Sequence, residues 1–173
     1  DQQRQLSYIK LQNEQYRALS DSIKLTLSHQ RWQEDGDRIR SDSRRTLESF
    51  TSNMLGVDLQ LDKSLNYGEL TYGIEYYRDD VDSARRDFSA DGSLNAVRIQ
   101  GPVGDDSTFK QLGVYAQFNT EITHQLSITA GSRWSQVEAK IGRFEDPSTA
   151  QTASFNNHWH SVDNSLKALF IID

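Results

Sequence analysis

Two histidines flank a tryptophan near the carboxyl end of the chain, at His158, Trp159 and His160. Imidazole nitrogens are good axial ligands for haem iron, and an indole ring between them could stack on a porphyrin. On a strand, residues two apart share a face, so both imidazoles would project the same way. We therefore take these three residues as a candidate ligand-binding set. The alternative is a solvated loop that carries two incidental histidines.

Three aspartates lie close together at Asp79, Asp80 and Asp82. Carboxylate oxygens are the ligands that Ca²⁺ prefers, but the spacing is not that of an EF-hand. Neighbouring arginines would also compete for these carboxylates. We expect a solvated charged loop here and no metal site.

The sequence contains no constellation typical of an enzyme. There is no GxSxG elbow around any serine, and the four histidines show no metalloprotease spacing. The absence of cysteine excludes disulfides, thiolate metal sites and a cysteine nucleophile. The net charge of −6, with scattered lysines and arginines, gives no basic footprint for nucleic acid. We predict that the protein is neither an enzyme nor a nucleic-acid-binding protein.

Composition points to a folded chain with much polar surface. Only 35% of the residues are hydrophobic, yet 10% are aromatic, whereas disordered chains are poor in aromatic residues. The chain starts at Asp1 without an apolar leader, so we expect a processed product or a fragment. No apolar run approaches the ~18 residues of a membrane helix, but a barrel strand needs only ~9–11 alternating residues.

Residues 109–141 carry the clearest alternating pattern, which predicts two strands joined by a short polar turn. One parity is mainly apolar and the other mainly polar or glycine, as expected for a strand with two different faces. The apolar parity consists of Leu112, Val114, Ala116, Phe118, Leu126, Ile128, Ala130 and Trp134.

Similar alternation along the chain predicts an all-β, antiparallel up-and-down meander of about seven strands. Short turns are expected at 15–21, 62–68 and 120–125, and long polar segments at 33–46, 78–108 and 142–161. Segment 33–46 could be a solvated loop or the polar extension of a hairpin. Short connections on one end and long ones on the other are typical of outer-membrane barrels. A soluble sandwich would not be expected to segregate its loops so strictly.

The polar parity holds charged residues and a glycine in each of four strands. Glycine weakens a strand unless something approaches its backbone closely, and an element inside a barrel lumen would do so. We therefore predict that this parity faces a lumen or a plug domain; in a soluble sheet the same residues would be surface charges. The predicted lumen-facing residues are Asp58, Glu75, Gly113, Arg133 and Lys167.

Two stretches resemble known barrel strands. LTYGIEYYRDDVDSARRDF (70–88) and LGVYAQFNTEITHQLSITAGSRWSQVEAKI (112–141) resemble those of TonB-dependent outer-membrane receptors. In that family a strand ending in a variant of YAQ, a short turn and LSITAGSRW-like residues form a recurrent hairpin. The family's receptors carry a signal peptide, a box that binds the energising protein, a plug domain and a barrel of about 22 strands. The resemblance implies that residues 1–173 are one segment of such a barrel, without the plug domain and the remaining strands.

The resemblance further implies active transport across the bacterial outer membrane. The transported ligand would be haem or a ferric siderophore, with no permanently bound cofactor. The partners would be outer-membrane lipid and, through the missing N-terminal part, the TonB energising complex. A soluble secreted or periplasmic β-sandwich that binds a protein or glycan is the alternative.

Overall fold

A computed structural model describes residues 1–14 and 19–171, and the regular structure in these ranges consists of strands. Within them, no helix is long and apolar enough to cross a membrane. The strands are β1 (Gln2–Asn13), β2 (Ser22–Ile39), β3 (Arg45–Leu65), β4 (Gly68–Phe88), β5 (Leu94–Val97), β6 (Asp105–Thr123), β7 (Leu126–Glu145) and β8 (Thr152–Phe170).

All the strands belong to one antiparallel sheet. Its order is β1-β2-β3-β4-β6-β7-β8, and the short β5 pairs with the far end of β4. This is the predicted up-and-down meander, with β5 as the one strand that the sequence did not indicate. The soluble sandwich is not supported, because the described residues form no second sheet and include no buried hydrophobic side chain.

The strands are much longer than the alternating pattern indicated. The segments predicted as long polar loops are mostly strand, since β2, β4 and β7 continue to Ile39, Phe88 and Glu145. Backbone hydrogen bonding between strands does not require apolar side chains, so the strands stay paired through these polar segments. Cross-strand ion pairs support this pairing. Arg45, for example, donates two hydrogen bonds of 2.8 and 2.7 Å to the Asp37 carboxylate. Segment 33–46 is therefore a hairpin extension, and the connections that remain are 40–44, 89–104 and 146–151.

The short turns are tighter than expected. The turn predicted at 62–68 contracts to 66–67, and that at 120–125 contracts to 124–125. Gly68 begins β4 with φ of 152°, a conformation that residues with side chains rarely adopt. Residues 15–18 of the predicted turn at 15–21 lie outside the described residues, as does Ile172 of the predicted last strand.

The cross-strand register gives the sheet two chemically different sides. We call the side that bears Leu59, Ile74, Val114 and Trp134 the apolar face; these residues are joined by direct cross-strand pairing. The opposite side bears Asp58, Glu75, Tyr115 and Arg133, and we call it the polar face.

Candidate functional site

The five predicted lumen-facing residues share the polar face. Asp58, Glu75 and Gly113 lie in one cross-strand row on β3, β4 and β6. Arg133 of β7 is paired with Tyr115 and Asp163, and Lys167 of β8 lies farther along, opposite Thr129. The period of two residues therefore placed these side chains on a common surface.

An ion pair crosses this face between strands that are not neighbours. Arg133 of β7 reaches over β6 and donates from Nη2 to Glu75 Oε2 of β4 at 2.7 Å. Its Nε also donates to Ser135 Oγ at 3.1 Å. The guanidinium passes directly over Gly113, where a Cβ atom would lie 2.9 Å from Arg133 Cζ. The missing side chain at Gly113 is what allows the two strands to be bridged.

Large side chains of neighbouring strands cover two other glycines of the polar face. Tyr77 lies over Gly56, with Cε1 2.7 Å from the position that a Cβ would take. Tyr115 lies over Gly73, with Oη at the same distance. The sequence interpretation attributed these glycines to close approach by a luminal element. The structure shows that aromatic rings of the sheet itself occupy the space.

The polar face carries more negative than positive charge around Arg133. A shallow cavity of about 340 Å³ is lined by Glu75, Arg133 and Asp163, among others. Asp58 lies directly opposite Glu75, which is already paired with Arg133. Lys24 of β2 also lies near Asp58, so two cations face a group of three carboxylates. This arrangement suits hydrogen bonding and ion pairing with a polar partner on this face, and these residues offer no nucleophile–base pair.

The candidate ligand-binding set lies inside β8, not in a loop. His158 and His160 pair with Glu138 and Gln136, so both imidazoles are on the same face, as predicted. That face is the apolar one. Trp159 lies on the polar face and stacks on Phe155, with ring centroids 6.4 Å apart. The structure therefore does not bring the indole to the two imidazoles.

The three neighbouring aspartates do not converge either. Asp79 is on the polar face, where it accepts a hydrogen bond of 2.7 Å from Ser52. Asp80 is on the apolar face and pairs with Arg78 at 2.9 Å. Among the described residues, no group of three or more His, Asp or Glu side chains is placed to hold a metal ion.

A polar cluster that the sequence did not indicate lies in the extensions beyond the apolar face. The Asp87 carboxylate accepts hydrogen bonds from Arg85 Nε at 2.9 Å and from Arg98 Nε at 2.6 Å. Burial opposes ionisation of Asp87, but the two arginines outweigh it and lower the pKa of this carboxyl. Arg98 follows β5, so the cluster holds the 89–104 connection against β4.

A second buried carboxylate anchors the other end of that connection. Asp105 Oδ1 accepts a hydrogen bond of 2.8 Å from the Ser83 backbone N–H, and its Oδ2 pairs with Arg143. Sequence reasoning missed both aspartates because they lie in segments without an apolar parity. The only signal was the mixture of arginine and aspartate in these segments.

The apolar face is uncovered along its length. Leu55, Val114 and Leu166 expose 55%, 44% and 77% of their surface. Contiguous exposed apolar surface of this kind marks a contact with lipid or with another protein. Since all strands are in one sheet, the rest of the described chain does not cover it.

At the end of the sheet near the long connections, the apolar side chains of the apolar face stop at a different level on each strand. Toward the long connections, side chains on this face change from apolar to polar after Leu55 on β3 and after Val162 on β8. The β8 residue in register with Leu55 is His158, so the limit moves by four residues across four strand pairings. This is roughly 13 Å along the strands over roughly 19 Å across them. Strands inclined by about 35° to the membrane normal would level the limit, as in transmembrane barrels.

Comparisons with known proteins agree with this geometry. A family model described as "TonB dependent receptor-like, beta-barrel" matches residues 2–166. The structure of a copper transporter, OprC, is similar with a TM-score of 0.73 at 11% identity, over 95% of this chain and 27% of that one. The siderophore receptor PiuA from Acinetobacter baumannii is similar with a TM-score of 0.64 at 19% identity, over 98% of this chain and 30% of that one. A search of curated proteins found no match. The chain spans less than a third of either solved structure.

Proposed function

Because the chain belongs to the TonB-dependent receptor β-barrel family, we propose that it forms one part of the barrel of a receptor that actively imports an iron-containing ligand. The observation that carries the proposal is the single sheet with an uncovered apolar face and a charged polar face. A membrane barrel requires this division, with lipid on one side and the lumen on the other.

Barrels of this family are located in the bacterial outer membrane, and that is the location of this chain. The polar face would line the lumen, where Asp58, Glu75 and Arg133 could contact a plug domain supplied by the rest of the protein. Energy would come from the TonB complex through the N-terminal part of the receptor. The function is transport, and the proposed ligand passes through without being chemically changed.

For the ligand we propose haem or a ferric siderophore. One similar structure is a siderophore receptor and another is a copper transporter, so these comparisons support metal uptake more broadly than iron uptake. Of the three candidate ligand-binding residues, Trp159 is the one on the luminal side. Its stack with Phe155 offers an aromatic surface to a planar ligand.

A titration of the full receptor with haem and with a ferric siderophore tests these roles. Trp159→Ala should weaken binding of the true ligand about 10-fold, which corresponds to the ~1.4 kcal/mol of one aromatic stack. Axial ligation by His158 or His160 would appear as a haem Soret shift that disappears in the His158→Ala/His160→Ala variant. Unchanged affinity and an unchanged spectrum in all variants would remove this set from the ligand site. Failure of both ligands to bind, with copper bound instead, would overturn the iron assignment.

A further inference from the structure

Two polar side chains lie within the lipid-facing part of the apolar face, on β7 and β8. Ser132 and Asn164 are direct cross-strand partners. Along their strands both are flanked on this face by apolar residues, which are Ala130 and Trp134 on β7 and Val162 and Leu166 on β8. Val162 is the last apolar residue of this face on β8. Asn164 therefore lies roughly 5 Å deeper in the membrane than that limit, since the strand is inclined.

Lipid does not satisfy the hydrogen-bonding groups of these two residues. Both side chains are exposed on the surface of the sheet, and neither has a hydrogen-bond partner within the described part of the chain. Hydrocarbon supplies neither donors nor acceptors, so an unpaired amide or hydroxyl is costly there. The amide of asparagine is also held close to the backbone, unlike the long side chains that extend to the headgroups. A polar partner is needed at this depth.

The pattern on β7 and β8 is complementary to a second copy of itself. In the next row toward the short turns, Ala130 is paired with Leu166. A two-fold axis along the membrane normal, passing between β7 and β8, brings β7 of one copy opposite β8 of the other. Each Asn164 then faces Ser132 of the second copy, and each Leu166 faces Ala130, so a large side chain meets a small one. Asn164 Nδ2 can donate to Ser132 Oγ, while the Ser132 hydroxyl donates to Asn164 Oδ1.

The surface around Ser132 is also low enough for another barrel to approach. Ala116 of β6 is the other cross-strand partner of Ser132, so small side chains adjoin one another here. Small residues allow protein backbones to come close together within a membrane. In the same cross-strand row, β3 and β4 carry Leu61 and Tyr72. These larger side chains would hold a second barrel farther away.

We propose that Ser132 and Asn164 form the centre of a two-fold interface between two copies of the receptor in the outer membrane. The reciprocal hydrogen bonds satisfy both polar side chains, and Leu166 packs over Ala130 of the other copy. Because the strands of a barrel are tilted, the strands of two facing barrels cross, which confines the contact to a few rows around Ser132 and Asn164. The interface is on the lipid side of the sheet and is independent of the transported ligand.

Sedimentation equilibrium of the full receptor in density-matched detergent tests the proposal. The wild type should form dimers reversibly. Asn164→Leu should weaken dimerisation about 10-fold, because it removes the hydrogen bonds at both symmetric positions. Ser132→Ala removes the same bonds with a smaller change in volume and should weaken dimerisation by a similar factor, so it provides a second test if Asn164→Leu does not assemble. A wild type that is monomeric at all concentrations would overturn the proposal.

The matched control is Asn156→Leu. Asn156 lies on the same strand and the same face, but beyond Val162, where it is paired with Lys140. This variant should dimerise as the wild type does. An equal loss in the control, or no loss in Asn164→Leu, would contradict the interface. If Asn164 pairs instead with a neighbouring strand of its own barrel, Asn164→Leu will lower the urea midpoint of the monomer and leave dimerisation unchanged, which would also refute it.

Disulfide cross-linking in outer membranes tests the location of the contact. The sequence contains no cysteine, so Ser132→Cys and Asn164→Cys each add a single thiol to it. Receptors that carry these two different substitutions, produced in the same cell, should cross-link to each other. Receptors that carry Ile74→Cys, on β4 of the same face, should not. Equal cross-linking in the two experiments would show that β7 and β8 do not form the interface.

Discussion

Gly113 provides the most discriminating test of the polar face. Its replacement by alanine should lower the free energy of unfolding when residue 133 is arginine and raise it when residue 133 is alanine. Glycine within a strand is less stable than alanine by roughly 0.5–1 kcal/mol, so Gly113→Ala carries an intrinsic gain. In the wild type the added Cβ would collide with the guanidinium of Arg133. Because that group is the end of a flexible side chain, it would swing away and break its bond to Glu75.

The free energy lost when the Arg133–Glu75 bond breaks can be estimated from the exposure of these two side chains. Hydrogen bonds to charged groups contribute ~1.5–3 kcal/mol, whereas exposed ion pairs contribute ~0–1. The side chains of Arg133 and Glu75 are 32% and 24% exposed, so an intermediate value of about 1.5 kcal/mol applies. Gly113→Ala should therefore destabilise the wild type by roughly 0.5–1 kcal/mol. In an Arg133→Ala background it should stabilise the barrel by a similar amount.

Urea unfolding of the full receptor in lipid vesicles, as a double-mutant cycle, measures this coupling. Gly73→Ala is the control, because its Cβ would meet the backbone carbonyl of Leu59, which cannot move aside. Gly73→Ala should stay destabilising even when Tyr115 is replaced by alanine. If Gly113→Ala costs the same with and without Arg133, the bridge over Gly113 does not contribute to stability.

Two further predictions concern the apolar face and the extensions beyond it. Val114→Arg should reduce the yield of folded, heat-modifiable receptor in the outer membrane, because arginine at the membrane midplane costs ~2–4 kcal/mol. Gln117→Arg on the polar face should assemble normally. Equal yields of the two variants would contradict the assignment of the faces. Arg85 and Arg98 lower the pKa of Asp87 in the folded state. The stabilisation that the ionised Asp87 carboxylate provides is therefore fully present above the unfolded pKa of ~3.9, and it is lost as the pH falls through the lower, folded value. Amide exchange in β5, corrected for intrinsic rates, should accordingly rise in that acidic range for the wild type. In Asp87→Asn it should already be raised at neutral pH and should not rise further in acid. A pH-independent wild type would refute the role of the carboxyl.

The faces of the sheet could be predicted from the sequence because a period of two residues survives in every strand that contacts lipid. Leu112 and Val114 alternate with Gly113 and Tyr115, and this alone places them on opposite sides. Beyond the apolar face both sides meet water, so no parity selects the side chains. The sequence therefore predicts a loop where the structure continues β4 to Phe88.

Contacts between strands required the register, which the sequence pattern did not supply. The bond from Arg133 to Glu75 depends on the pairing of Arg133 with Tyr115 and of Glu75 with Gly113. Likewise, the alternation placed His158 and His160 on one face but did not tell which face it was. Only the pairing of His158 with Glu138 and of Trp134 with Val114 identifies it as the apolar one.

The register also changes what the glycines of the polar face imply about a partner in the lumen. Bare backbone at Gly56, Gly73 and Gly113 would have allowed another element to lie flat against the sheet. Instead, side chains from β4, β6 and β7 occupy those positions. Any element inside the barrel would meet tyrosine rings, a guanidinium already held by Glu75, and the carboxylates around it. Its contacts should therefore be polar and mediated by side chains, so substitutions at the three glycines should act on barrel stability before they act on binding of the plug.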